Sequence, residues 1–223
     1  MSKLSRGQKA EKEISGILSS LEGYHLLIND YTYINTKTDM SHQIDHILLH
    51  PHGVFVIETK SYYGEIDINN NDTVWIKTIK GKKSVFPNPL IQNNSHRLLI
   101  SKLLDKKVDV ISLVVFSRNN APMIDDNVIN KDDLILFIES YPYQTLISNN
   151  VLDKAYKKLM DNISSISIDE HKANIKRLQK LTKEKQEDKR IAIEEGLCPI
   201  CGRKISVSGY KYYCQKCGYK FSL

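Results

Sequence analysis

The chain has 223 residues, enough for one full hydrophobic core and a small appended domain. Its formal net charge is +6 and its pI about 9.0, a balance that favours an acidic partner such as nucleic acid. Its apolar runs all fall short of the roughly 18 residues that span a bilayer, and the first residues lack the apolar segment of a signal peptide. We therefore expect a soluble, cytoplasmic protein rather than a membrane protein.

The first 140 residues alternate helical and strand patterns. An amphipathic helix is expected over 11–21, where apolar residues recur at helical spacing. The expected strands lie at 24–28, 31–34, 44–49, 54–57, 74–79, 110–116 and 134–138. A second helix is expected over 90–104, with Leu98, Leu99, Leu103 and Leu104 on one face. This order predicts an α/β domain, a mixed β-sheet flanked by helices, over residues 1–140.

Charged residues interrupt two neighbouring apolar strands on either side of the turn at residues 50–53. Asp45 lies in the first strand, and Glu58 and Lys60 lie in the second. Because side chains alternate along a strand, Glu58 and Lys60 are expected to point to the same face. A symmetric hairpin would place Asp45 across from Glu58, so that the three side chains share one patch.

This charged trio suits a metal-dependent site that cleaves phosphodiester bonds. Charges inside apolar strands are costly unless they are paired or bind a metal. Two carboxylates suit Mg²⁺, which keeps several waters and takes one or two protein carboxylates. A nearby lysine can orient or deprotonate the attacking water, or stabilise charge in the transition state. The alternative is a structural ion pair between Lys60 and either Asp45 or Glu58.

Further motifs extend the pattern over about residues 7–116. They are Gly7-Gln8-Lys9-Ala10-Glu11, Gln43-Ile44-Asp45-His46, the strand from Gly53 to Lys60, Gly64, Trp75 and Asn88-Pro89-Leu90-Ile91-Gln92-Asn93. In this order they resemble the nuclease-related domain (NERD), a branch of the PD-(D/E)xK nuclease superfamily. Ala10 stands where that family usually has a second glycine.

The resemblance implies a restriction-endonuclease-like core and a catalytic set of four side chains: Glu11, Asp45, Glu58 and Lys60. Asp45 and Glu58 would bind the divalent metal, Mg²⁺ or Mn²⁺, and Lys60 would serve the attacking water and the transition state. Gln43 and Gln92 are weaker candidates for positioning the substrate or the metal shell. For Gln92, tethering the helix that follows the Asn-Pro pair is the alternative.

Residues 141–194 are predicted to form a helical extension and basic linker. Between Glu170 and Arg190 the sequence has eight Lys or Arg against four Asp or Glu. A solvated spacer helix is the favoured interpretation, and a helix lying along a phosphate backbone is the alternative.

All four cysteines lie in two Cys-x-x-Cys pairs within the last domain, residues 195–223. Cys198 and Cys201 form the first pair, and Cys214 and Cys217 form the second. This spacing predicts a closed, structural Zn²⁺ site, with disulfides as the alternative. The segment resembles the zinc ribbons appended to topoisomerases and other DNA-handling proteins.

The ribbon also carries basic and aromatic residues that are candidates for binding nucleic acid. They are Arg203, Lys204, Lys211, Tyr212, Tyr213 and Lys216. Basic side chains hold phosphates and aromatic rings stack on exposed bases, as in single-strand binding. The alternatives are that the aromatic rings fill the small ribbon core, or that the ribbon contacts another protein.

Together these features predict a Mg²⁺-dependent DNA endonuclease with a zinc ribbon that recruits or positions its substrate. DNA processing or defence against foreign DNA is the biological setting that the resemblance suggests. The alternative is a nucleic-acid-binding or adaptor protein that keeps the nuclease fold without catalysis. The sequence leaves open an RNA substrate, a homodimer and a partner protein.

Overall fold

The computed structural model describes residues 4–35, 40–68, 73–118, 127–143, 145–164, 168–208, 211–218 and 220–222. The chain divides into two compact units, residues 1–166 and 167–223. The first unit includes a helix at 149–160 that lies beyond residue 140 and packs in its core. The functional domain boundaries at 140 and 194 stay predictions.

The described helices are α1 (Arg6–Ser19), α2 (Pro89–Leu103), α3 (Leu134–Ser140), α4 (Asn149–Met160) and α5 (Ile168–Glu194). The first strands are β1 (Leu26–Asn35), β2 (Met40–His50), β3 (Gly53–Lys60), β4 (Glu65–Asp67), β5 (Val74–Ile79) and β6 (Lys82–Pro87). The later ones are β7 (Val110–Phe116), β8 (Val128–Asn130), β9 (Ser206–Ser208), β10 (Lys211–Tyr213) and β11 (Lys220–Ser222). In the described parts of the chain, none of the helices is both long and apolar enough to cross a membrane.

A five-stranded sheet with the order β1-β2-β3-β7-β8 forms the centre of the first unit. Strands β1 to β3 are antiparallel, whereas β3, β7 and β8 run parallel. The mixed sheet and its flanking helices confirm the predicted α/β architecture. Strands β4 to β6 form a smaller antiparallel sheet, of which the sequence patterns had indicated β5 alone.

Strand β3 is covered on both faces, which explains its nearly unbroken run of apolar residues. On one face, Val54 and Val56 join a core that includes residues of α2 and α4. On the other face, Phe55 and Ile57 join a core that includes residues of α1 and α3. This double coverage holds the end of β3, where the charged residues lie, on a rigid base.

Residues 134–138 form a helix, so the strand predicted there is wrong. The structure buries Leu134 and Ile138 but leaves Leu136 68% exposed. A strand would have placed all three side chains on one face, whereas four-residue spacing matches a helical turn. The strand that completes this edge of the sheet is instead β8. In apolar runs as short as 134–138, periodicity alone does not distinguish a helix from a strand.

The buried face of α2 also differs from the expected leucine stripe, because Leu98 is 54% exposed. Asn93 and His96 are buried there with Ile100. The side-chain amide of Asn93 lies 2.8 Å from the carbonyl oxygen of Val56 and 3.0 Å from that of Leu113. Asn93 therefore links α2 to the two central parallel strands.

Replacing Asn93 with leucine is expected to destabilise the first unit by about 1–3 kcal/mol, since it removes a buried donor while keeping a similar volume. Unfolding in urea can be followed by the fluorescence of Trp75, the only tryptophan, which is 1% exposed. The exposed neighbour Asn94 provides the matched control, Asn94→Leu. An unchanged unfolding midpoint in Asn93→Leu would show that the link is dispensable.

Candidate active site

The charged residues of β3 lie on one face at the end of the strand, as the alternation predicted. Glu58 is 4% exposed, and the Lys60 ammonium lies 2.5 Å from its Oε1 atom. The side-chain amide of Gln92, on α2, donates to Oε2 of Glu58 at 3.2 Å. Both oxygens of the Glu58 carboxylate therefore have a partner, one of them charged.

Asp45 reaches this site by a different route from the predicted cross-strand alignment. The β2–β3 ladder ends at the pair His46–Ile57, one step before the position that would join Asp45 to Glu58. Instead, the backbone N–H of Thr59 donates to Oδ2 of Asp45 at 2.8 Å. The carboxylate thus takes the place of the next backbone acceptor in the ladder.

A kink shared by β1 and β2 accounts for this position. Asp30 has a positive φ of 53°, and the β1–β2 pairing skips the step between Asp30 and Asp45. Ile44 and Ile47 lie in the same core cluster although an odd spacing normally separates two residues onto opposite faces. The alternation therefore shifts by one residue at Asp45, which a symmetric hairpin could not predict.

The surroundings of Asp45 disfavour its ionised form in the protein alone. Burial raises its pKa, the Glu58 carboxylate raises it further, and the total shift brings the pKa to about 8 despite the Thr59 N–H. Burial by itself lowers the pKa of Lys60, but the adjacent Glu58 carboxylate outweighs that effect and the pKa is raised. Lys60 is therefore a cation at neutral pH.

Glu11 approaches the same group of charges from α1. The helix begins with a capping box in which Ser5 and Gln8 exchange side-chain and backbone hydrogen bonds. The Glu11 carboxylate lies beside Gly7, one turn earlier on the helix; a Cβ atom added to Gly7 would be 3.4 Å from Oε1 of Glu11. Burial raises the pKa of Glu11, and the Asp30 and Glu58 carboxylates raise it further. Glu11 is thus electrostatically part of the site.

The two glutamines differ in what they contact. Gln92 binds Glu58 directly, whereas the side-chain amide of Gln43 donates to Oδ1 of Asp30 at 3.0 Å. Asp30 was missed in the sequence, although the polar pair Asn29-Asp30 between the two expected strands was a signal for an irregularity there. The two predicted strands are in fact one kinked strand, β1.

Neutral histidines pack beside the acidic group. Burial lowers the pKa of His46 to about 4, and its Nδ1 atom lies 2.7 Å from Oδ1 of Asn29. His96 also has a pKa of about 4, because it is buried and lies near His42 and Lys60. These rings add no positive charge to balance the carboxylates at neutral pH.

Asp45 and Glu58 offer the oxygen donors that a hard divalent cation prefers. A cation would also supply the positive charge that their burial lacks, so the residues fit such an ion. Within the described ranges, only the cysteines form a set of three or more His, Cys, Asp or Glu ligand atoms within 4.8 Å of one another. Among these residue types the acidic site thus offers fewer than three close ligand groups, and water would have to occupy the remaining positions around a bound cation.

The four cysteines converge in the second unit. Cys198 and Cys217 have their sulfur atoms 3.5 Å apart, as do Cys201 and Cys214. A disulfide would need about 2.05 Å, whereas sulfurs around a tetrahedral zinc are about 3.8 Å apart. The cluster can therefore bind a metal such as zinc.

Matching turns form the two halves of the cluster. Gly202 and Gly218 have positive φ angles of 68° and 75°. Each donates its backbone N–H to the carbonyl of the first cysteine of its pair, at 2.8 Å to Cys198 and 2.9 Å to Cys214. The backbone N–H of Cys217 is the main cause that lowers the pKa of Cys214 to about 6. The glycines therefore allow amides to approach the sulfurs.

The predicted nucleic-acid-binding residues of the ribbon are exposed to different extents. Arg203, Lys204 and Lys216 are exposed. Tyr213 is 39% exposed with the Lys220 ammonium 5.3 Å from its ring centre, and Tyr212 is half-buried. The side chain of Lys211 lies outside the described part of the structure. Tyr212 thus fits the ribbon core better than a stacking role.

Comparison with known proteins agrees with this assembly of residues. Residues 6–117 match the nuclease-related domain. An uncharacterized protein of Bacillus anthracis is 33% identical over 173 residues, which is 69% of this chain and 81% of that relative. No solved structure gives a significant match. With half of its length matched by the domain and most of the bacterial relative covered, the chain belongs to the nuclease-related domain (NERD) family.

Proposed function

We propose that this protein is a metal-dependent endonuclease that hydrolyses phosphodiester bonds, with DNA as its substrate. The observation that carries the proposal is the buried carboxylate of Glu58 and the half-buried one of Asp45, held in one charged group with the Lys60 ammonium. Such a group is costly to fold without a cation and matches the needs of phosphoryl chemistry. We also propose that its sheet is the restriction-endonuclease-like core of the PD-(D/E)xK superfamily.

Asp45 and Glu58 would hold Mg²⁺ or Mn²⁺. When bound, such an ion polarises a phosphate oxygen and makes a coordinated water more acidic. Gln92 fixes the orientation of Glu58 through its 3.2 Å hydrogen bond, so its role is positioning. Thr59 does the same for Asp45 through its backbone N–H.

Lys60 is suited to stabilise the negative charge that develops on the phosphate oxygens. Its raised pKa favours this role over that of a general base, because a base must be deprotonated near neutral pH. Glu11 has the raised pKa that suits a carboxylate accepting a proton from water. We assign it to the orientation of the attacking water.

The cysteine cluster is proposed to hold one structural Zn²⁺, since four thiolates leave no open coordination position. The exposed cations Arg203, Lys204 and Lys216 support a role of the ribbon in binding or positioning nucleic acid. DNA processing or defence against foreign DNA is the setting that we propose for both activities.

Cleavage of supercoiled, linear and single-stranded DNA tests the proposal, with Mg²⁺, with Mn²⁺ and with EDTA. The double variant Glu58→Ala/Lys60→Ala removes both members of the pair, because a lone buried charge would itself unfold the site. The exposed pair in Lys180→Ala/Glu184→Ala serves as the control. Metal-dependent cutting that is lost in the first variant and kept in the second supports a nuclease.

A non-catalytic adaptor predicts a different result in the same assay. The wild type would bind DNA but cut none of the three forms under any metal condition. The Glu58→Ala/Lys60→Ala variant would then bind as the wild type does. That outcome would replace the nuclease proposal with a binding function of the NERD fold.

A further inference from the structure

A cavity of about 460 Å³ lies between the start of α1 and the residues that follow the ends of β3 and β7. Arg6 and Lys9 of α1 line it, together with Arg118, which follows β7. Tyr63, three residues after Lys60, completes the wall beside Arg118. None of these residues belongs to the proposed catalytic set.

The lining is strongly basic. In the part of the chain that the structure describes, Arg6, Lys9 and Arg118 take part in no ion pair. The carboxylate that also lines the cavity, Glu13, already forms an ion pair with Lys131. Three cations therefore face the cavity against one acid that is already neutralised.

Ser117 provides a second, independent sign of a ligand. It lines the cavity and is 2% exposed, yet its hydroxyl has no hydrogen-bond partner among the described residues. An unpaired buried hydroxyl is costly unless a bound group satisfies it. The guanidinium of Arg118 is held 5.4 Å from the ring centre of Tyr63, which limits its freedom.

The cavity is joined to the active site through the backbone. The N–H of Ser117 donates to the carbonyl oxygen of Lys60 at 2.9 Å. In the parallel ladder Lys60 pairs with Phe116, so Ser117 and Arg118 directly follow the position beside Lys60. A nucleic-acid strand whose scissile phosphate lies at Asp45 and Glu58 would therefore have a neighbouring phosphate within reach of the cavity.

We propose that this cavity binds a phosphate group of the nucleic-acid substrate, next to the phosphate that is cut. The inference rests on the proposed function, because it assumes that the acidic site handles phosphodiesters. Arginine forks bind phosphate oxygens in pairs, and the positive end of the α1 dipole favours the same charge. The phosphate is either an internal one or a 5′-terminal one, and the chemistry is the same.

The test is the affinity of Arg6→Gln/Lys9→Gln/Arg118→Gln for labelled oligonucleotides, measured in EDTA so that no cleavage occurs. The variant should fold, since loss of cations near a helix start does not weaken the helix. The control Lys12→Gln/Lys102→Gln/Lys154→Gln removes the same charge from exposed lysines outside the cavity.

The cavity variant should bind about tenfold more weakly than the control at low salt. Its plot of log affinity against log salt should also lose about one unit of slope, as expected for one lost phosphate contact. Equal affinity and slope in the two variants would overturn the proposal, and so would a wild type that binds no oligonucleotide.

Circular and linear single strands distinguish an internal phosphate from a 5′-terminal one. A loss of affinity that is equal on circular single strands and on linear ones indicates an internal phosphate. A loss confined to linear strands with a 5′-phosphate, and absent with a 5′-hydroxyl, indicates a terminal one. Cleavage by the wild type is measured separately. If the protein binds through the cavity but never cuts, the phosphate-binding proposal is supported and the nuclease proposal is rejected.

Discussion

Asp45→Asn should abolish metal-dependent cleavage and at the same time stabilise the metal-free protein. Asparagine keeps an oxygen for the Thr59 N–H but lacks the charge that a divalent ion requires. Loss of one such group costs at least about a hundredfold to a thousandfold in rate. The same change removes the cost of keeping protonated a carboxyl whose pKa folding raises to about 8, about 2–4 kcal/mol at pH 7.

The stabilising effect should depend on pH in a defined direction. Folding raises the pKa of Asp45 from 3.8 to about 8, so between these values the folded protein binds more protons than the unfolded chain. The stability of the wild type is therefore reduced by this group as pH rises through that window. The advantage of Asp45→Asn should be close to zero near pH 4 and complete above about pH 8.

Urea unfolding of the metal-free proteins between pH 4 and pH 9 measures this advantage, with Trp75 reporting the first unit. Asp67→Asn changes an exposed aspartate and should give no advantage at any pH. A variant that is inactive and less stable than the wild type would indicate that Asp45 is a structural ion-pair residue. A variant that still cuts would remove Asp45 from the proposed catalytic set.

Cys198→Ser should abolish the proposed zinc site and unfold the ribbon. Structural zinc contributes about 10–16 kcal/mol in comparable small domains, far more than a ribbon of this size gains from its core. Cys198 is one of the two buried cysteines, and a serine hydroxyl there lacks the thiolate that a structural zinc site uses. Binding of nucleic acid should weaken to the extent that the ribbon contributes to it.

Zinc content measured with a chromogenic chelator after denaturation should be one per wild-type chain and near zero in the variant. Lys216→Ser changes a residue between Cys214 and Cys217 and should keep the metal while losing one charge. Trp75 belongs to the first unit, so its emission reports whether the substitution also unfolds that unit. Full zinc in Cys198→Ser would overturn the four-cysteine site.

Regions with strong, long patterns were predictable from the sequence. Strand β7 matches its predicted bounds, 110–116, because a strand buried on both faces is apolar along its whole length. The hairpin of β2 and β3 is confirmed, since the apolar runs on either side of Pro51 admit little else. The common face of Glu58 and Lys60 followed from simple alternation.

Features set by tertiary contacts were not predictable. The helix at residues 134–140 became distinguishable from a strand only through the burial of Leu134 and Ile138. The contact between Asp45 and Thr59 depends on the positive φ of Asp30 in another strand. The basic cavity combines α1 with the residues after β7, which lie more than a hundred positions apart. Such combinations have no local signature.

The kink shared by Asp30 and Asp45 gives Asp45, a proposed metal ligand, a second role: the side-chain alternation of β1 and β2 restarts there. Because alternation restarts at this point, Tyr31 and Ile44 face the core only while the irregularity persists. If the two strands were straight, the buried and exposed faces of their outer halves would be exchanged, as after a one-residue slip in any sheet. The proposed metal site and the pairing of β1 with β2 therefore depend on the same irregular position, and a substitution that changes one is expected to change the other.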